Sequence, residues 1–241
     1  MERHQGADGH IYASDGTKVA NGSSGSIHVR SYSRTINGKV VDVAAHERSG
    51  GTGSSSNGSE PWQGKSNQKF REKIAEAERS DVHPGGGYDL RNEDGSSALG
   101  RYQILEGSLK DAGWKDSQGN WTNKARAQGV GSDQDFLDKP DAQEVAFGDV
   151  MRRAEEQATR NGSMAHAGKD YVGPDGSTVP VTAGGVAAAA HREGAGKTHQ
   201  TLAKLERQAS GKAQKFDSAD RRVMRRLRQF RDTPYTPGGW K

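Results

Sequence analysis

Phe70 to Ile104 read FREKIAEAERSDVHPGGGYDLRNEDGSSALGRYQI: a helix, then a breaker-rich loop, then a short apolar close. Phe70, Ile74, Ala77 and Glu78 stand at offsets of zero, four, seven and eight, one face of a 3.6-residue period. Glu78 therefore falls on the apolar face, while Glu72 and Glu76 fall off it and read as solvent-facing. The helix stops in Asp81-Val82-His83-Pro84-Gly85-Gly86-Gly87, where proline and glycine break the pattern. A carboxylate at the inner end of a helix, opening into a polar loop, is placed to act as a general acid, because desolvation favours its neutral form. The competing reading is a glutamate that reaches past the stripe to water at the helix end.

The surroundings of Glu78 carry more. A polar, hairpin-like run from Tyr88 to Ser97 leads into Ala98-Leu99-Gly100-Arg101-Tyr102-Gln103-Ile104. Far downstream stands Ala187-Ala188-Ala189-Ala190-His191-Arg192-Glu193-Gly194-Ala195-Gly196. A helix ending in Glu, then a Gly-Leu-Met-Gln-type segment (here Gly100 to Gln103), then an Ala-Tyr-Asn-Ala-Gly-type segment (here Ala190 to Gly196) resembles the lysozyme-like superfamily. The nearest branch is that of soluble lytic transglycosylases and goose-type lysozymes. Pro140, Gln143 and Ala146, after Phe136-Leu137, resemble the spacing of phage-type muramidases. The likeness covers about residues 68–207.

Composition bounds the alternatives. Thirty-three glycines and 30% hydrophobic residues in 241 leave material for a core over about 140 residues. No cysteine is present, which excludes a disulfide framework and thiolate chemistry. The histidines show no ligand spacing, so no metal or other cofactor is expected, and the Gly85–Gly87 run lacks the strand and lysine of a phosphate loop. A net charge of +4 favours polyanionic partners without selecting among them. No apolar run reaches membrane-spanning length and no hydrophobic signal core opens the chain.

Four regions are expected. Residues 1–48 form an arm, extended or disordered over 1–26, with a β-hairpin at 27–47 turning at Asn37-Gly38. Residues 49–66 are a Gly/Ser linker with Trp62 its one anchor. Residues 67–210 form the enzymatic domain. Within it, helices are expected at Glu106–Trp114 (Leu105, Leu109 and Ala112 inward), Ala142–Arg160, Ala183–His191 capped by Thr182, and Lys197–Ala209. On the second of these, Val145, Ala146, Val150, Met151 and Ala154 form the apolar face; Gly194 and Gly196 end the third. Polar excursions fill 115–131 and 161–180, the latter turning at Pro174-Asp175-Gly176. Residues 211–241 are a basic tail whose helix, 218–231, sets Val223, Leu227 and Phe230 in a stripe among arginines, followed by an extended end. That helix reads as an anion-binding arm, a docking helix or a cover on the domain.

The fold class expected is mainly α: a lysozyme-like helical domain with a small β-hairpin at the cleft, an N-terminal hairpin arm and a basic C-terminal helix. The resemblance implies cleavage of the N-acetylmuramic acid–β-1,4–N-acetylglucosamine bond of peptidoglycan, by lytic transglycosylase or muramidase chemistry. It makes Glu78 the proton donor. Asp89, with Glu93 and Asp94 behind it, is the candidate second carboxylate of a hydrolase. Tyr102, Gln103, His191 and Glu193 fall at substrate-contact positions, Tyr102 and His191 with core packing as the alternative. Departures are Arg79 where serine is usual, and Arg192 and Glu193 in the third motif; Glu193 is a new carboxylate that could serve as base. The polar arms imply delivery to the cell wall or periplasm without a classical signal, by a phage virion or tail or a secretion apparatus contacted through residues 1–48 and 218–241. A non-catalytic structural protein on the same scaffold is the first alternative, and nucleic-acid binding by the basic tail is the second.

Overall fold

A computed structural model describes residues 60–91 and 96–240 throughout, and the backbone of strands within 1–59; the chain divides into two units, Met1–Ser59 and Glu60–Lys241. In the first unit, β1 (Arg3–Gln5) pairs antiparallel with β2 (Ile11–Ala13). The stretch expected to be extended or disordered therefore contains a strand pair. Next come β3 (Ser26–Val29), β4 (Tyr32–Ile36), β5 (Lys39–Val43) and β6 (His46–Ser49). β4 pairs with β5, Ile36 opposite Lys39, so the pairing brackets Asn37-Gly38; β3 pairs with β6 outside it.

The second unit is mainly helical. Helix α1 (Gln68–Glu78) buries Phe70, Arg71, Ile74 and Ala75. Residues 60–66, read as linker, pack on this unit: the Trp62 indole lies 3.8 Å from the Arg101 guanidinium and donates to Glu72. Short helices α2 (Glu106–Asp111), α3 (Asn123–Ala127) and α4 (Asp133–Leu137) follow, the last two inside or beside the expected polar excursion. Leu105, expected inward, is exposed, whereas Trp114 and Trp121 are buried and contact Phe136 edge-on and tilted.

Helix α5 (Pro140–Arg160) crosses the unit. Its inward face holds Gln143, Glu144, Ala146, Phe147, Val150 and Met151, with Ala154 packed beside it, so Ala146, Val150, Met151 and Ala154 lie as expected while Val145 is exposed. The 161–180 excursion carries a 3₁₀ turn, Ser163–His166, and a hairpin of β7 (Asp170–Val172) and β8 (Thr178–Pro180) that turns at residues 174–176 as expected.

Helix α6 (Ala183–Glu193) is capped by Thr182, whose hydroxyl accepts from the Gly185 N–H, and nearly all its residues are buried. Small side chains let neighbours approach: a Cβ at Gly185 would lie 3.3 Å from the Leu227 backbone. Gly194 ends α6, but Gly196 lies inside α7 (Ala195–Ala209). Helix α8 (Ser218–Gln229) opens with a reciprocal box between Asp217 and Asp220 and buries Val223, Met224 and Leu227 against α6 and α7. Asp220 is fully buried. Burial alone would raise its carboxyl, but Lys197 and Lys204, at 2.8 and 2.6 Å, hold it well below the usual range. The segment after α8, expected to be extended, also anchors the fold: Trp240 is buried and, with Tyr235 and Phe230, surrounds Phe70.

Candidate functional site

Arg79 adopts a left-handed conformation (φ 59°) that ends α1, and its N–H returns to the carbonyls of Ala75 and Glu76. Glu78 is the last helical residue, its side chain 7% exposed. The three stretches singled out in the sequence meet here. The Ser80 hydroxyl donates to the Arg101 carbonyl, His191 Nε2 donates to the Tyr102 carbonyl at 3.1 Å, and Arg192 Nη1 donates to Glu78 Oε2 at 3.0 Å. The middle stretch is fixed from behind by Gln143, which accepts from the Arg101 N–H and donates to the carbonyls of Tyr88 and Phe136. Gly100 is required there: with φ +68° its Cβ would sit 2.0 Å from Gln143 Oε1.

Glu78 is clamped. Its second oxygen, Oε1, accepts a short hydrogen bond from Arg226 of α8. Above the pair opens a pocket of about 530 Å³ whose lining adds Arg222, Arg225 and Arg228. Arg222 is held by Glu193 through two bonds, 2.6 and 2.9 Å. Arg228 bonds the Thr178 carbonyl and Asp175. Arg225 is exposed, and no ion pair or hydrogen bond of its side chain is found among the described residues. Burial disfavours the charge on Arg226; Glu78 opposes this, while Arg192 and Arg225 add to it.

His191 is enclosed, edge-on to Phe147. Burial pulls its imidazole down to about 4, only partly opposed by Glu78, so it is neutral at pH 7. With Nε2–H committed to Tyr102, Nδ1 is a bare acceptor, buried without a partner among the described residues. A small cavity of about 60 Å³ touches it, lined also by Ser108, Asp111 and Gln157. Its size and polar walls fit a bound water.

The other candidates lie elsewhere. Tyr102, a substrate-contact candidate, is fully buried, stacked 3.8 Å from Phe147, with its hydroxyl on Glu144; it is a core residue. Gln103 is left-handed (φ 47°) and its amide donates to the Gly100 carbonyl, away from the pocket. Asp89 is exposed and does not line the pocket at Glu78. Glu193 is tied to Arg222. Glu93 and Asp94 lie outside the described residues.

The residue missed was Arg226. Its signal was present: it follows Val223 by three positions and precedes Phe230 by four, so it borders the apolar stripe of α8. Among the described residues no group of side chains could hold a metal ion, and no helix is long and apolar enough to cross a membrane. No protein-family model, curated protein or solved structure matches the chain.

Proposed function

We propose that this chain cleaves the N-acetylmuramic acid–β-1,4–N-acetylglucosamine bond of peptidoglycan, with Glu78 as proton donor. The observation that supports it is convergence. The end of α1, the Gly100–Gln103 segment and the end of α6, far apart in sequence, are joined by Ser80, His191 and Arg192 around one carboxylate beside a pocket. Glycosidic cleavage needs a proton at the leaving oxygen and stabilisation of an oxocarbenium-like centre. Because both oxygens of Glu78 are engaged by guanidiniums, one must be released as substrate enters.

The transglycosylase form fits better than the hydrolase. In it the 6-hydroxyl of the muramic acid attacks its own C1, and Glu78 acts first as acid and then as base, giving a 1,6-anhydro product. A hydrolase needs a second carboxylate free to hold water. Among the described residues, Asp89 stands away from the pocket and Glu193 is committed to Arg222. In this reading a phage virion or tail, or a secretion apparatus, carries the chain to open the wall locally.

The clamp itself favours a second reading, a non-catalytic structural protein on the same scaffold, since a doubly paired carboxylate can simply lock α1 to α6 and α8. Nucleic-acid binding by α8 would rest on its exposed arginines, Arg221 and Arg225, since Arg222, Arg226 and Arg228 are partnered within the fold. Mass spectrometry of soluble products from purified peptidoglycan separates these. Anhydro-muropeptides from the wild type and not from Glu78→Gln support the transglycosylase. Reducing ends make it a muramidase, and no product from either protein leaves the structural reading.

A further inference from the structure

The pocket over Glu78 holds more positive charge than its own carboxylates neutralise. Five guanidiniums line it, with Glu78 in its wall and Glu193 and Asp175 pairing two of the five from outside. Clustered like charges oppose one another, and Arg226 is also buried. Such an arrangement is stabilised by an entering anion. The pocket already shows which anion its spacing suits. Glu78 takes one bond from each of two guanidiniums, whereas Glu193 is taken by the Arg222 fork through two bonds, 2.6 and 2.9 Å. Two-point contact of this kind matches a planar carboxylate to a planar guanidinium. Arg225 is exposed, with no ionic partner among the described residues, and Arg192 is the more exposed clamp arginine at 48%.

We propose that this pocket is a carboxylate-binding subsite for the peptide stem of the wall polymer, with Arg225 and Arg192 as its first contacts. The inference rests on the cleavage reading above and deepens it. A glycosidic bond held at Glu78 puts the lactyl ether of the muramic acid, and the peptide it carries, next to the reacting carbon. The stem's free carboxylates then reach the arginine wall. The volume of about 530 Å³ has room for a sugar ring with the first residues of a stem. The entering carboxylate competes with Glu78 for Arg192 and so frees one Glu78 oxygen, which takes up a proton from solvent and passes it to the leaving oxygen as the glycosidic bond breaks.

The test uses two matched probes without a glycosidic bond: N-acetylmuramyl-L-alanyl-D-glutamate and its diamide, titrated calorimetrically into the full chain at low salt. The acid is expected to bind at least about tenfold tighter than the diamide. Arg225→Gln should remove most of that preference. Arg221→Gln, exposed on the same helix outside the pocket, should leave it intact. Peptidoglycan with amidated stems should be solubilised several-fold more slowly than peptidoglycan with free stems. Equal affinity for acid and diamide overturns the subsite, as does equal loss in the two arginine variants. A short single-stranded DNA that displaces the acid at lower concentration overturns it in favour of nucleic acid. Product release without acid preference sinks the subsite alone; acid preference without product release sinks the cleavage reading and leaves the pocket.

Discussion

Glu144 and Glu78 are both held by arginines, and their fates differ. Glu144, on α5, is completely enclosed. It accepts from Arg71 at 2.7 Å and from the hydroxyls of Tyr88 and Tyr102, each at 2.6 Å. Burial, with the carboxylate adding to it, pushes both phenols far above their ordinary range, so they remain donors. Every partner is itself buried. Glu78 also has two partners, but one is half-exposed and the site opens on a pocket with further guanidiniums. Saturated and enclosed, a buried carboxylate ties elements together; left beside space and excess opposite charge, it can change partners.

That contrast can be broken by experiment. Glu144→Gln leaves Arg71 buried without its counter-charge and is expected to cost about 3–5 kcal/mol in urea unfolding. Glu78→Gln should cost clearly less, because water in the pocket reaches the guanidiniums it leaves behind; equal costs would remove the distinction. Trp240→Ala, which empties the aromatic cluster around Phe70, should cost about 3 kcal/mol or more. A negligible effect would mean that the chain end does not anchor α1.

Acid should destabilise the fold through His191. Its folded pKa, about 4, lies below the ordinary 6.5, so the unfolded chain takes up the proton first as pH falls. The contribution is fully present above about 6.5 and is lost toward 4, on the order of 3 kcal/mol. His166, lowered mainly by burial, adds in the same direction, and Asp220 adds a loss in stronger acid. His191→Asn should therefore flatten the fall in stability between pH 7 and 4.5, and an unchanged slope would show that His191 is not its source. The smallest effect expected is that of Arg225→Gln, whose unfolding midpoint should match the wild type while the carboxylate preference is lost.

The helices that face the core with apolar side chains at 3.6-residue spacing could be read from sequence: α1, most of α5, α7 and α8, together with the Thr182 cap. What could not be read rests on partners distant in the chain. Glu144 sits on the inner face of α5 only because Arg71, Tyr88 and Tyr102 arrive to satisfy it, whereas side-chain polarity alone favours Val145 for the core. Trp240 and Tyr235 lie in a proline- and glycine-rich segment with no periodicity, so their burial left no pattern. At the candidate site, Glu78 and Arg192 stood in the stretches singled out, but the clamp needs Arg226, 148 residues away, at the edge of a stripe read as a basic face. Tyr102 shows the converse: its position in a motif pointed to substrate, and its ring went to the core.

The most direct measurement is the rate at which folded Glu78→Gln releases soluble muropeptides from purified peptidoglycan, relative to the wild type. Proton donation by Glu78 predicts a fall of at least about 100-fold, with a cooperative unfolding transition retained. A rate within about twofold of the wild type, against the loss expected for an essential general acid, would contradict it and return Glu78 to the role Glu144 plays, a tie between helices.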